Sequence, residues 1–269
     1  MTYFGFLLRF LIIPILILLV LLFYSEKRGQ KPFASLRSWS GWAAIALHIL
    51  IAVIYTTPWD NYLVATRVWW YDPNLVTGIT FGWVPIEEYT FFVLQPIMTG
   101  LWLLLLTRYL DFSNTSIGYH ARSQFWVLVS LAVLWLLSII VLVGGWKPGT
   151  YLALELGWAV PPVALQVYFG WDILIRYRRL VLATLIPTTL YLSMADALAI
   201  DLGTWTIDPA QSLHFLIGGI LPIEEFIFFM LTNVLVTFGI TLILAEESHV
   251  RLSQIRDRTW PSRRPRTIS

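Results

Sequence analysis

The sequence predicts an all-α transmembrane protein: a seven-helix bundle made of two parallel three-helix repeats joined by a linking helix. Three observations carry that expectation. The composition is strongly apolar, seven stretches have membrane-spanning length, and one eight-residue pattern occurs twice at matching places. Of the 269 residues, 58% are hydrophobic and 13% charged, with mean hydropathy +0.72, whereas soluble domains carry about 25% charged residues. Cysteine is absent, which excludes disulfides and thiolate chemistry, and with four His a metal centre would need mostly carboxylate ligands. The net charge of +2 points to no nucleic acid partner.

A helix needs about 20 apolar residues to cross the bilayer core. Residues 3–24, 39–57, 83–106, 124–144, 151–173, 179–200 and 213–244 qualify. The first stretch is a retained span and not a signal peptide, because Lys27, Arg28 and Lys31 follow it and no small-residue cleavage site appears. Lys and Arg then set the orientation. Loops 1–2, 3–4 and 5–6 and the tail carry 4, 2, 3 and 6 of them, against Arg67 and Lys147 on the other side. This predicts an external N-terminus and a cytoplasmic C-terminus. The tail, with Arg251, Arg256, Arg258, Arg263, Arg264 and Arg266 among Ser and Pro, is expected to be disordered, a stop-transfer flank able to touch anionic headgroups.

Pro85-Ile86-Glu87-Glu88-Tyr89-Thr90-Phe91-Phe92 returns as Pro222-Ile223-Glu224-Glu225-Phe226-Ile227-Phe228-Phe229. The repetition is longer than eight residues. Asp60 lies twelve residues before Asp72-Pro73 and Asp196 twelve before Asp208-Pro209, while Trp69 and Trp205 stand three residues ahead of each second Asp. Pro73 to Pro85 is twelve residues and Pro209 to Pro222 thirteen, so one residue is inserted. Pro14 matches Pro161 or Pro162. The organisation is therefore a first repeat over 1–110, a linking loop and helix over 111–148, a second repeat over 149–245 and a tail over 246–269. Three spans per repeat plus one linking span make the repeats parallel, related by a pseudo-twofold along the membrane normal. Such an axis suits a long, nearly symmetric substrate.

Adjacent glutamates at the head of an apolar helix need a functional reason, since each charged carboxylate at mid-bilayer depth costs roughly 2.5–3.5 kcal/mol. Glu88 and Glu225 stack over the Phe pairs Phe91–Phe92 and Phe228–Phe229 at i+3 and i+4. Burial without a cation favours the neutral acid, so at least one Glu of each pair is expected to carry a proton. A neutral acid among aromatic faces suits proton-initiated carbocation chemistry on an alkene, with a second carboxylate to take the departing proton. The competing structural reading makes the Glu pairs ordinary first-turn acids behind Pro. Asp60 and Asp196 are candidates of the same constellation, with a loop cap as their alternative. Asp72 and Asp208 are read as turn formers, and His48 and Glu155, unmatched between repeats, as satisfied interior polar residues. Trp69, Trp83 and Trp205 are interface-belt aromatics or substrate lining. A proton-coupled transporter of a small apolar or amphipathic solute is the other class with repeats and intramembrane carboxyls. Such transporters interrupt their spans near mid-membrane, whereas here Leu-rich helix follows the aromatics.

At these residues the chain resembles the flavin-independent, integral membrane lycopene β-cyclase family of carotenoid cyclases, in its fused two-repeat form. The resemblance covers residues 1–106 and 145–245. It implies protonation of each terminal ψ-end alkene of lycopene, closure of the cation onto the neighbouring double bond and loss of a ring proton, giving β-carotene by way of γ-carotene. It assigns Glu87, Glu88, Glu224 and Glu225 as acid and base candidates and implies no cofactor, neither flavin, NAD nor metal. A C50 carotenoid or an ε-ring product fits the same resemblance. The implied partners are a lipophilic carotenoid, the bilayer and other carotenoid biosynthesis enzymes. The second copy departs from the first after the Phe pair, with Thr232-Asn233 where the first has Gln95-Pro96.

Overall fold

The computed structural model describes residues 1–111 and 121–259. Seven of its helices are long and apolar enough to cross a membrane. These are α1 (Tyr3–Lys27), α2 (Gly41–Ala65), α3 (Ile86–Leu106), α4 (Ala121–Gly144), α5 (Thr150–Arg176), α6 (Arg178–Asp201) and α7 (Ile223–Leu244). An eighth helix, α8 (Glu246–Thr259), follows.

Local sequence explains most helix ends. Ser40 caps α2 by accepting from the Ala43 N–H. In α1 a π-helical turn at Leu8–Ile12 precedes Pro14, widening the ladder where the proline ring would strike the carbonyl four residues back. Pro58, Pro96, Pro161, Pro162 and Pro187 lie inside helices that continue through them. Only α5 leaves helical dihedrals, at Gly170. Mid-span prolines are thus present, but α3 and α7 run unbroken from their glutamates to their far ends.

Four expectations need correction. Residues 213–222 are not the first turns of the last span. They hold a hairpin, β5 (Leu216–Ile217) with β6 (Leu221–Pro222), matching β2 (Thr80–Phe81) with β3 (Val84–Pro85) in the first repeat. Pro85 and Pro222 consequently end a strand and precede their helices by one residue, instead of opening the first turn. The inserted residue sits in the second hairpin turn: two residues join Phe81 to Val84, three join Ile217 to Leu221. The second span runs to Ala65, so Asp60 lies within helix and is no loop cap. Finally, residues 246–259 are helical. Arg251 bonds Asp172 at 2.6 Å and Arg176 pairs with Glu247, folding α8 back onto α5; residues 260–269 of the expected tail lie outside the described residues.

The two repeats are related as the spacing requires. β1 (Trp69–Tyr71) pairs antiparallel with β4 (Trp205–Ile207), Trp69 opposite Ile207, Trp70 opposite Thr206 and Tyr71 opposite Trp205. With Trp69 equivalent to Trp205, this register puts equivalent residues Trp70 and Thr206 face to face on a local pseudo-twofold. Left-handed backbone recurs at equivalent turns, at Arg67 and Gly203 and again at Gly78 and His214. α1 and α2 pack on α3, α5 and α6 pack on α7, and α3 packs on α7 at the centre. α3 and α7 are accordingly the most buried spans, and α4, lying along α5, the least. Asn233 of α7 holds the centre together, accepting from Gln95 at 2.9 Å and Thr99 at 2.7 Å on α3.

Candidate active site

A chamber of about 40 Å³ lies beneath the β1–β4 pair, at the head of α3 and α7. Both repeats line it. Glu88 and Glu225 enter it from the two central helices, and Asp60 and Asp196 from the last turns of α2 and α6. Its walls include Phe91, Phe92, Phe228 and Phe229, together with Trp69 and Trp205. These two tryptophans are buried in the chamber wall, away from an interface belt. Trp83 lies apart, 68% exposed on the β2–β3 turn.

The paired glutamates divide by role. Glu87 Oε1 accepts the Thr77 N–H and Glu224 Oε1 the Leu213 N–H, each at 2.6 Å. Both bonds fasten the loop before a hairpin to the helix below it. Neither residue lines the chamber. One residue further along, 100° around each helix, Glu88 and Glu225 turn inward to different partners. Tyr3 donates to Glu88 Oε2 at 2.5 Å and Tyr71 to the same oxygen at 2.9 Å. Tyr151 donates to Glu225 Oε1 at 2.7 Å. Burial and the nearby Glu88 and Asp60 carboxyls push the Tyr71 phenol well above its usual range, which keeps it a donor.

Tyr3 and Tyr151 are equivalent residues, each in the first turn of the first helix of its repeat. The sequence reading passed over them, although a signal existed: Tyr3 precedes Pro14 by eleven residues, as Tyr151 precedes Pro162, which also selects Pro162 as the partner of Pro14. The symmetry breaks at the aspartates. Trp205 donates to Asp196 at 2.9 Å, whereas its equivalent Trp69 donates to the Tyr71 hydroxyl at 3.1 Å. Asp60 has no partner on either oxygen. Glu155, fully buried one turn beyond Tyr151 and equivalent to Leu7, has the Tyr151 hydroxyl beside it, but that hydroxyl donates to Glu225 and leaves the Glu155 oxygens without a well-formed hydrogen bond. His48 is a satisfied interior residue, bonded to the Ala44 carbonyl at 2.8 Å. Asp72 and Asp208 form the expected turns, accepting from the backbone N–H of Asn74 and Ala210.

None of the ion pairs among the described residues involves a chamber carboxyl. Four acidic groups therefore face one small space without a counter-cation. Aromatic rings close the space: Phe91 meets Phe229 edge-on at 6.1 Å and Trp59 stacks on Phe228 at 5.9 Å. Beyond Phe91, Phe92 and Phe228 a second space of about 300 Å³ runs between α2, α5 and α7, past Leu165 and Val236. It is mostly apolar. The arrangement can deliver and accept protons next to aromatic faces, with Phe91, Phe92 and Phe228 standing between the chamber and the apolar space.

Comparison with known proteins gives a consistent result. The chain matches the family described as Lycopene cyclase over residues 1–106 and 148–243. It is 39% identical over 205 residues to the lycopene beta-cyclase of Halobacterium salinarum, covering 74% of this chain and 81% of that one. The bifunctional lycopene cyclase/phytoene synthase of Aspergillus oryzae is 34% identical over 204 residues, 75% of this chain and 34% of its own length. That of Podospora anserina is 35% identical, over 72% of this chain and 34% of its own. No solved structure matches the chain. The two matched blocks are the α1–α3 and α5–α7 repeats, the ones that build the chamber, and the chain belongs to the lycopene cyclase family.

Proposed function

We propose that the protein cyclises the ψ-ends of lycopene to β-rings by acid catalysis, giving γ-carotene and then β-carotene with no net redox change. The observation that carries this reading is the chamber, where Glu88, Glu225, Asp60 and Asp196 meet without a cation inside aromatic walls. The names of the Halobacterium and fungal relatives support the same substrate. A neutral carboxyl gives its proton to the terminal alkene, and a tertiary carbocation forms. The adjacent double bond closes on it, and a carboxylate removes a proton from the ring. Aromatic faces and carboxylates stabilise the passing positive charge. Tyr3, Tyr71 and Tyr151 orient the two glutamates. The polyene lies in the α2–α5–α7 groove and its end passes Phe91, Phe92 and Phe228 to reach the acids.

The test is expression in lycopene-accumulating bacteria, followed by chromatography of the extracted pigments. β-Carotene should form, and a Glu88→Gln/Glu225→Gln variant at the same membrane level should leave lycopene. Lycopene unchanged by the wild type, or β-carotene from the double variant, would overturn the reading.

A further inference from the structure

The chamber bears on a question that the doubled motif raises: whether each repeat serves one end of the substrate. Its supports are interlocked across the axis. Tyr3, which holds Glu88, packs against Trp205 of the other repeat with ring centroids 4.9 Å apart, and Trp205 holds Asp196. Tyr151, which holds Glu225, packs against Trp69 at 5.3 Å. Neither repeat encloses a site of its own. One space, lined by Asp60 and Glu88 from the first half and Asp196 and Glu225 from the second, holds all four acids. A stiff conjugated chain cannot bring both of its ends to one point.

We infer that Glu88 and Glu225 form a single acid–base pair, one from each repeat, which cyclises the two ends of the same substrate in turn. This rests on the cyclase reading. The protons balance without an outside partner. One glutamic acid protonates the terminal alkene, the new C–C bond closes the ring, and the facing carboxylate removes one ring proton. The product is an isomer, and the two glutamates have exchanged protonation states. The exchanged state still offers one acid and one base to the same space, so the second end reacts with the roles reversed, although Glu88 keeps two tyrosine donors and Glu225 one. Between the two reactions the monocyclic product leaves the chamber and returns with its other end first.

The experiment has two arms, both on the full chain. Glu88→Gln and Glu225→Gln are expressed separately in lycopene-accumulating cells with membrane levels matched by immunoblot. Wild-type membranes converting lycopene are given isotopically labelled γ-carotene. The expectation is lycopene in both variants, with ring formation down about 10²-fold or more and no build-up of γ-carotene, and label entering β-carotene in the wild type. Accumulation of γ-carotene by either variant would restore one site per repeat and overturn the inference. So would wild-type conversion of lycopene to β-carotene that excludes the label, an arm that is independent of how the variants fold. Full bicyclic product from both variants would instead remove the carboxyl reading on which the inference stands.

Discussion

Glu87 and Glu88 are neighbours of the same type, and the structure expects their amide variants to differ sharply. Glu87→Gln keeps an oxygen that can accept the Thr77 N–H, now bonded at 2.6 Å. It also places an amide N–H2 where the buried Oε2 has no partner, which costs about 1–3 kcal/mol of stability. If about 1 kcal/mol of that reached the reaction barrier, ring formation would slow about fivefold. Glu88→Gln keeps acceptance from Tyr3 and Tyr71 at one oxygen but removes the transferable proton, a loss of about 10²–10⁴-fold. Glu87→Gln should therefore outpace Glu88→Gln by at least about 20-fold. Initial rates of ring formation in membranes of equal enzyme content measure it, with melting of the purified protein in detergent as the folding control. If Glu87→Gln is as inactive as Glu88→Gln at an unchanged melting temperature, the division of roles within the pair is wrong. Glu224 and Glu225 must give the same contrast, because Glu224 holds Leu213 as Glu87 holds Thr77.

Glu155→Leu installs the residue type found at the equivalent Leu7 and removes a buried group that lacks a well-formed hydrogen bond, a deficit of about 1–3 kcal/mol. The melting temperature should rise with activity within a few fold of wild type; inactivity at raised stability would place Glu155 in the proton path. The basic residues concentrate at the end of the bundle opposite the chamber, so a reporter at the C-terminus should be cytoplasmic and one inserted near residue 75 external, and finding both on one side would reject the orientation. Because cyclisation is an isomerisation, EDTA treatment and flavin depletion of the purified enzyme should leave the rate unchanged, and a rate restored only by adding back metal or flavin would refute the mechanism.

Apolar length and the doubled Pro-Ile-Glu-Glu pattern were enough to read seven spans, two parallel repeats and the acids at their head. The misread boundaries have two physical causes. Residues 213–222 contain Leu213, Phe215, Leu216, Ile217, Ile220 and Leu221, and mean hydropathy does not separate an apolar hairpin from the first turns of a helix. Gly218 and Gly219, both in left-handed conformation, were the available sign, since two adjacent glycines mark a turn. At Pro58 the opposite happened. A proline that would be expected to end a helix is carried inside one, because a span in lipid gains more from keeping its backbone bonds than it loses at one position.

The site was legible only where it broke a rule. Paired glutamates in an apolar segment are anomalous and therefore visible, whereas Tyr3, Tyr71 and Tyr151 sit near helix ends where tyrosine is ordinary. Their importance comes from what they meet in three dimensions. Tyr3 reaches Glu88 across 85 positions of sequence and Tyr151 reaches Glu225 across 74, separations at which no local pattern links donor to acceptor. The repeat supplies the missing link. Once Tyr3 is aligned with Tyr151, the two hydrogen bonds become one interaction made twice, and each tyrosine then packs on a tryptophan of the other half. The hydrogen bonds to each acid stay within its own half, and it is the ring packing that crosses. If the two halves serve one shared site, as inferred above, that crossed packing is what couples the placement of Glu88 to the second repeat and of Glu225 to the first.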